Sequence, residues 1–272
     1  MTQLESAKKN IITPLVRRIA RAEGMSPAKL TQLIKTGKAV IPCNINHSVQ
    51  KPCGIGFGLK TKVNANIGTS TDKASIKEEL LKLDAAIRFG ADTVMDLSVG
   101  KGILETRRQI LKKSSVPVGT VPIYEIAVNA ARKNKNFLDF DKKDILEVLE
   151  AQAREGVDFF TIHAGVTRKS LQALKKNRRL LDIVSRGGAI LANWIVRHKR
   201  ENPFYEYFDS ILDIACAYDV CLSLGDGMRP GTVLDATDPA QIQELKILGE
   251  LAQRSKQRNV QVMIEGPGHV PL

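Results

Sequence analysis

The sequence has few cysteines, few aromatics and no long apolar run, and each shortage excludes a class of protein. Four cysteines in 272 residues, Cys43, Cys53, Cys216 and Cys221, are too few for a disulfide framework. No two of them have CxxC spacing, so they do not form a thiolate metal site by themselves. No stretch of eighteen apolar residues exists, and Met1-Thr2-Gln3-Leu4-Glu5 lacks the apolar centre of a signal peptide. A cytoplasmic protein with no membrane partner is the expectation. Aromatics are 5% of the chain and do not interleave with its basic residues. The net charge of +12 is therefore read as a solvated surface around an anionic small-molecule site, with no nucleic-acid partner. The basic clusters at Lys112-Lys113, Arg132 to Lys135 and Lys175 to Arg179 are modest.

What is present is ordinary globular material, 43% hydrophobic and 26% charged. Residues 1–60 read as a helical cap and loop. Helical patterns at Ile12 to Ala22 and Pro27 to Lys35 break at Gly24 and Gly37, and loop-rich sequence follows. The pair resembles a helix-turn-helix in outline but has no basic recognition face. From Lys62 one rhythm repeats: a β-type run ends in Gly, Asn, Asp, Ser or His, and an amphipathic helix follows. Seven strands are predicted, at 62–67, 93–98, 116–122, 158–163, 181–185, 219–225 and 260–265, their starts roughly 23 to 42 residues apart, room for a crossover helix. Ile76, Leu80, Leu83 and Ile87 mark one helix, closed by Gly90, and Asp238-Pro239 opens another. Alternation of this kind requires a parallel sheet. Polar or glycine-rich sequence at every strand end favours a (β/α)8 TIM-like barrel over an open doubly wound sheet. Residues 61–272 are thus expected to form an incomplete barrel with about seven of eight strands.

In a barrel the strand ends share one mouth. Ser185-Arg186-Gly187-Gly188 offers amides, a hydroxyl and a guanidinium to a phosphate, or makes a tight strand-to-helix turn. Asp226-Gly227-Met228-Arg229 puts a carboxylate and a cation in one turn, for a ligand or for an internal ion pair. His163 is either a ligand donor or a core histidine. In Glu265-Gly266-Pro267-Gly268-His269, backbone specialists fix a carboxylate four residues before an imidazole.

Several long blocks carry a resemblance. They are Val63-Asn64-Ala65-Asn66-Ile67-Gly68-Thr69-Ser70, Gly90-Ala91-Asp92-Thr93-Val94-Met95-Asp96-Leu97-Ser98, Gly119-Thr120-Val121-Pro122-Ile123-Tyr124, Val184-Ser185-Arg186-Gly187-Gly188 and Glu265-Gly266-Pro267-Gly268-His269-Val270-Pro271. Collinear from about Lys51 onward, they resemble the signature blocks of the phosphomethylpyrimidine synthase family of radical S-adenosylmethionine enzymes. The resemblance implies a carbon–carbon lyase of thiamine biosynthesis. A [4Fe–4S] cluster would cleave S-adenosylmethionine, and the radical would convert 5-aminoimidazole ribotide to hydroxymethylpyrimidine phosphate. It further implies ribotide contacts at Asn66, Met95, Tyr124, His163, Ser185, Arg186, Gly187, Asp226, Gly227, Met228, Arg229 and Glu265. His269 would be one of two histidines on a zinc-type divalent ion.

The family's second metal histidine, eighth strand and C-terminal cysteine motif for the cluster would lie beyond Leu272. The expectation is a C-terminally truncated form, inactive alone and homodimeric at full length. Two alternatives are a 5-hydroxybenzimidazole synthase, which makes a cobamide lower ligand from the same ribotide, and a non-catalytic remnant that binds phosphorylated ribosides.

Overall fold

The computed structural model describes residues 1–133 and 136–271; Lys135, the end of one basic cluster, and Leu272 lie outside it. Thr2, Thr13 and Ser26 each accept an amide three residues on and so open α1 (Gln3–Lys8), α2 (Pro14–Ala22) and α3 (Pro27–Thr36). α1 was not anticipated from the sequence. Gly37 closes α3 in the left-handed region at φ 76°, as its position suggests. A two-residue hairpin follows, β1 (Ala39–Val40) with β2 (Ile55–Gly56). The three helices share one apolar cluster around Ile19, Leu30 and Ile34.

Six strands then form one parallel sheet in sequence order: β3 (Asn64–Ile67), β4 (Thr93–Asp96), β5 (Val118–Thr120), β6 (Phe159–Ile162), β7 (Cys221–Leu224) and β8 (Val262–Ile264). The crossovers carry α4 (Ile76–Arg88), α5 (Ile103–Lys113), α6 (Pro122–Arg132) and α7 (Lys142–Glu155), then α8 (Arg168–Lys176), α9 (Arg186–His198), α10 (Pro203–Glu206), α11 (Phe208–Tyr218) and finally α12 (Pro239–Gln257). This is the TIM-like pattern expected, but with six strands rather than seven. Among the described residues the sheet does not close, and β3 and β8 each pair on one side only.

The missing strand is the predicted one at 181–185. β6 pairs directly with β7, Phe159 opposite Cys221, so no position is left between them. The segment bonds elsewhere: the Leu180 and Leu181 amides donate to the Asp235 carboxylate at 2.9 and 3.0 Å. Leu181 stays 47% and Val184 42% exposed, and only Ile183 of the apolar run that suggested a strand packs partly against the core. No helix among the described residues is long and apolar enough to cross a membrane.

Side chains alternate along each strand with period two. Ile67, Val94, Phe160, Ile162, Leu222 and Leu224 point outward and are buried beneath the helices. The opposite face is mixed: Asn64, Asn66, Thr93, Thr161 and Ser223 alternate with the outward residues, and Met95, Phe159 and Met263 share the same face. A barrel interior is normally filled with branched aliphatics, so polar side chains at five inward positions mark a space suited to a ligand. The N-terminal helices sit at the other end of the strands. Thr2 Oγ1 donates to the Asn259 carbonyl at 2.8 Å, the Gln3 amide to Asp219 at 2.9 Å, and Ile41 N to Gln261 Oε1 at 2.8 Å. Each partner lies just before β7 or β8, which leaves the carboxyl ends of the strands open.

Candidate functional site

A cavity of about 540 Å³ lies on the inner face of the sheet. Nine of the residues predicted from the sequence line it: Asn66, Met95, Tyr124, His163, Ser185, Asp226, Arg229, Glu265 and His269. Asn66 and Met95 are register partners on β3 and β4, which places them side by side.

Four predicted residues stand outside its lining. Arg186 lies beside it, its guanidinium 5.2 Å from the centre of the Tyr124 ring. Gly187 backs the His163 ring so closely that a Cβ there would lie 2.3 Å from Cε1. Gly227 is pressed against Gly188, whose Cβ would meet the Gly227 carbonyl oxygen at 2.3 Å. Met228 is fully buried, and its main-chain N–H and carbonyl are bonded to Glu244 and Arg179. The structure does not bring Met228 to the cavity.

Ser185 is the N-cap of α9, its hydroxyl accepting the Gly188 amide at 3.1 Å. The segment makes a tight turn into a helix, though not from a strand, and the first-turn amides of Arg186 and Gly187 have no partner among the described residues. A helix start with free amides beside a guanidinium favours an anion.

His163 is 4% exposed, and its Nδ1 has no hydrogen-bond partner among the described residues. Burial, with Arg229 adding to it, pushes its pKa down to about 4, so the ring is neutral. Asn202 Nδ2 fixes the turn behind it by donating to the carbonyls of His163 and Val166 at 2.9 and 2.8 Å. Across the cavity Arg229 Nη1 pairs with Asp226 Oδ1 at 3.0 Å. Burial raises the Asp226 carboxyl against the opposing pull of Arg229.

Glu265 Oε1 accepts two hydroxyls, from Ser223 at 2.8 Å and Thr161 at 3.0 Å. Its carboxyl borders open space yet is walled by protein, and burial raises its pKa despite those bonds. Neither hydroxyl was picked out from the sequence, although both stand at inward positions of strands that otherwise alternate with large apolar residues. His269 is held at φ 57° with Nδ1 donating to the Pro230 carbonyl at 3.0 Å.

A family model for the Radical SAM ThiC family matches residues 2–272. The chain belongs to that family. The phosphomethylpyrimidine synthase of Thermodesulfovibrio yellowstonii is 55% identical over all 272 residues, which cover 64% of that relative. That of Thermotoga neapolitana is 52% identical with the same coverage, and that of Caldanaerobacter subterraneus subsp. tengcongensis 53% identical with 63% covered. The chain therefore spans just under two thirds of the length of these curated relatives.

Membership of the Radical SAM ThiC family implies S-adenosylmethionine and an iron–sulfur cluster. The described residues do not fit such a cluster. None of the four cysteines lines the cavity, and burial pushes Cys43 and Cys53 up to about 12. No group of three or more His, Cys, Asp or Glu suited to a metal occurs among the described residues.

Proposed function

We propose that this chain is the ribotide-binding part of a phosphomethylpyrimidine synthase, an enzyme converting 5-aminoimidazole ribotide to hydroxymethylpyrimidine phosphate by radical chemistry. The ribotide phosphate would sit at the start of α9 against Arg186. Ribose and base would reach Asn66, Met95, His163, Asp226, Arg229 and Glu265. One observation carries the reading: free helix-start amides with a guanidinium stand beside the same cavity as a buried neutral imidazole and a clamped carboxylate. A phosphate at one end and a polar, largely uncharged body at the other is what that arrangement recognises.

In this reading the chain's own residues bind and orient, and S-adenosylmethionine with the cluster supplies the radical from residues other than those described here. His269 would contribute one ligand to a zinc-type ion. The protein would be cytoplasmic and homodimeric at full length, with neither nucleic acid nor membrane as partner.

Calorimetry tests this. The ribotide is expected to bind the 272-residue chain more tightly than the riboside by roughly 1.5–3 kcal/mol, the worth of a charge-assisted contact. Equal affinity for the two would remove the phosphate site and the reading with it. In a full-length relative, product analysis is expected to give hydroxymethylpyrimidine phosphate and not 5-hydroxybenzimidazole.

A further inference from the structure

Met228 is gripped by both of its main-chain groups. Its N–H donates to Glu244 Oε2 at 2.9 Å, and its carbonyl accepts from Arg179 Nη2 at 2.7 Å. The Arg179 side chain is 0% exposed and forks onto Asp238, Nε to Oδ2 at 2.8 Å and Nη2 to Oδ1 at 2.7 Å. Asp238 is the N-cap of α12, and Glu244 stands on the second turn of the same helix. The contacts close a ring: α12 holds Met228 through Glu244 on one side and through Asp238 and Arg179 on the other.

Glu244 is an expensive residue to place there. It is 1% exposed, and its Oε1 has no hydrogen-bond partner among the described residues. A buried polar atom without a partner costs about 1–3 kcal/mol. Burial pushes the carboxyl up to about 8, so at neutral pH most of it is protonated. Its surroundings leave no room for adjustment. A Cβ on Gly165 would lie 2.7 Å from Glu244 Cγ, and one on Gly227 3.2 Å from Oε1. The side chain is wedged between the turn after His163 and the turn that carries Asp226 and Arg229.

We propose that Glu244 and Arg179 are positioning residues: by fixing Met228 from both sides they aim the flanking Asp226 carboxylate and Arg229 guanidinium into the cavity. This rests on the reading above that Asp226 and Arg229 contact the ligand. It also gives the 178–184 segment a role, since that segment lies outside the sheet and delivers Arg179 to the turn. Neither residue touches the ligand space itself.

Two variants separate positioning from mere packing. Glu244→Gln keeps an acceptor for the Met228 amide and matches the protonated acid in shape; Glu244→Met keeps the volume without the acceptor. Hydrogen exchange of the 226–231 segment, measured without ligand, reads the grip directly. Ribotide titration by calorimetry reads its consequence. Glu244→Met is expected to speed exchange of the Met228 amide on the order of tenfold, the equivalent of one lost hydrogen bond, and to weaken ribotide binding several-fold. Glu244→Gln is expected to match the parent in both. A folded Glu244→Met with unchanged exchange would overturn the proposal, and so would equal losses in the two variants. Should Glu244→Met not fold, Arg179→Lys takes its place. Lysine keeps a cation for Asp238 but lacks the fork, so the same acceleration is expected and its absence counts against the idea. Because exchange is read without ligand, a parent that fails to bind ribotide while the exchange contrast persists would remove the functional reading alone.

Discussion

His47 Nδ1 lies 2.7 Å from Asp158 Oδ2, and the other ring nitrogen, Nε2, lies 3.2 Å from the Leu111 carbonyl. Both neighbours are acceptors, so only the doubly protonated ring satisfies both contacts. Asp158 also accepts the Asn44 and Val118 amides at 2.9 and 2.7 Å. The pair thus pins the loop after β1 to the start of β6, at the end of the sheet away from the cavity.

This pair makes stability depend on pH. Burial lowers the His47 pKa, but the Asp158 hydrogen bond and charge outweigh it, and the net shift is upward from 6.5. Burial also raises Asp158; since both its oxygens act as acceptors, the ionised carboxylate is the form the geometry requires and His47 governs the window. A raised folded pKa means the contribution is complete below 6.5 and is lost as pH rises through the folded value. His47→Gln is expected to destabilise by on the order of 3 kcal/mol at low pH. Denaturant midpoints of parent and variant are expected to converge as pH rises; a gap independent of pH would show that the ring is held neutral.

Two glycines give a contrast in packing. A Cβ on Gly188 would stand 2.3 Å from the Gly227 carbonyl oxygen and 2.8 Å from its Cα, and neither backbone atom can swing aside. Gly188→Ala is expected to cost about 1–3 kcal/mol by forcing α9 from the 226–229 turn. Gly249, inside α12, has nothing within 4 Å of its Cβ position, and Gly249→Ala is expected to stabilise by up to about 1 kcal/mol. Urea unfolding of the two variants checks both signs; a neutral Gly188→Ala would show that the two turns are not in fixed contact.

Much of this was legible in the chain because repetition exposes it. Each β-type run followed by an amphipathic helix repeats a physical demand, the long crossover between parallel strands, and six of the seven predicted strands formed. The seventh failed because an apolar run such as Leu180-Leu181 reads the same whether it is buried or left exposed, and only the fold shows its amides bonded to Asp235. The cavity residues were visible where strand ends carry unusual polar sequence. Glu244 and Arg179 were not, since a single acid on a helix and a single arginine in a basic stretch resemble surface residues until their partners are known. Ile242 shows the same limit from the other side: it is apolar and at helical spacing from Leu245 and Leu248, yet it is 36% exposed, while Glu244 is buried.

Arg229→Ala separates binding from folding. The side chain is 27% exposed, and its one ion pair among the described residues, to Asp226, lies at the cavity. Truncation is expected to weaken ribotide binding by roughly 1.5–3 kcal/mol while the unfolding midpoint barely moves. Unchanged affinity in calorimetry would make Arg229 a partner of Asp226 and nothing more.

The last prediction concerns zinc. His269 spends Nδ1 on the Pro230 carbonyl, a hydrogen bond of the kind that orients a metal-binding imidazole and leaves Nε2 as the available ligand atom. Asp226 is close by: a Cβ on Gly268, the residue before His269, would collide with its Oδ2 at 1.8 Å. But Asp226 is already paired with Arg229. His163 shares the cavity, yet its ring is packed against Gly187 and Gly225, where an added Cβ would come within 2.3 and 3.0 Å of it, so it cannot swing toward His269. One imidazole and one engaged carboxylate fall short of the three or four ligands that zinc needs. The 272-residue chain is therefore expected to lose zinc on gel filtration, and a full-length relative is expected to retain it. Metal analysis of the eluted protein decides. Stoichiometric zinc that disappears in His269→Ala would place the missing ligands within this chain, and Asp226→Asn would then be the variant to examine first.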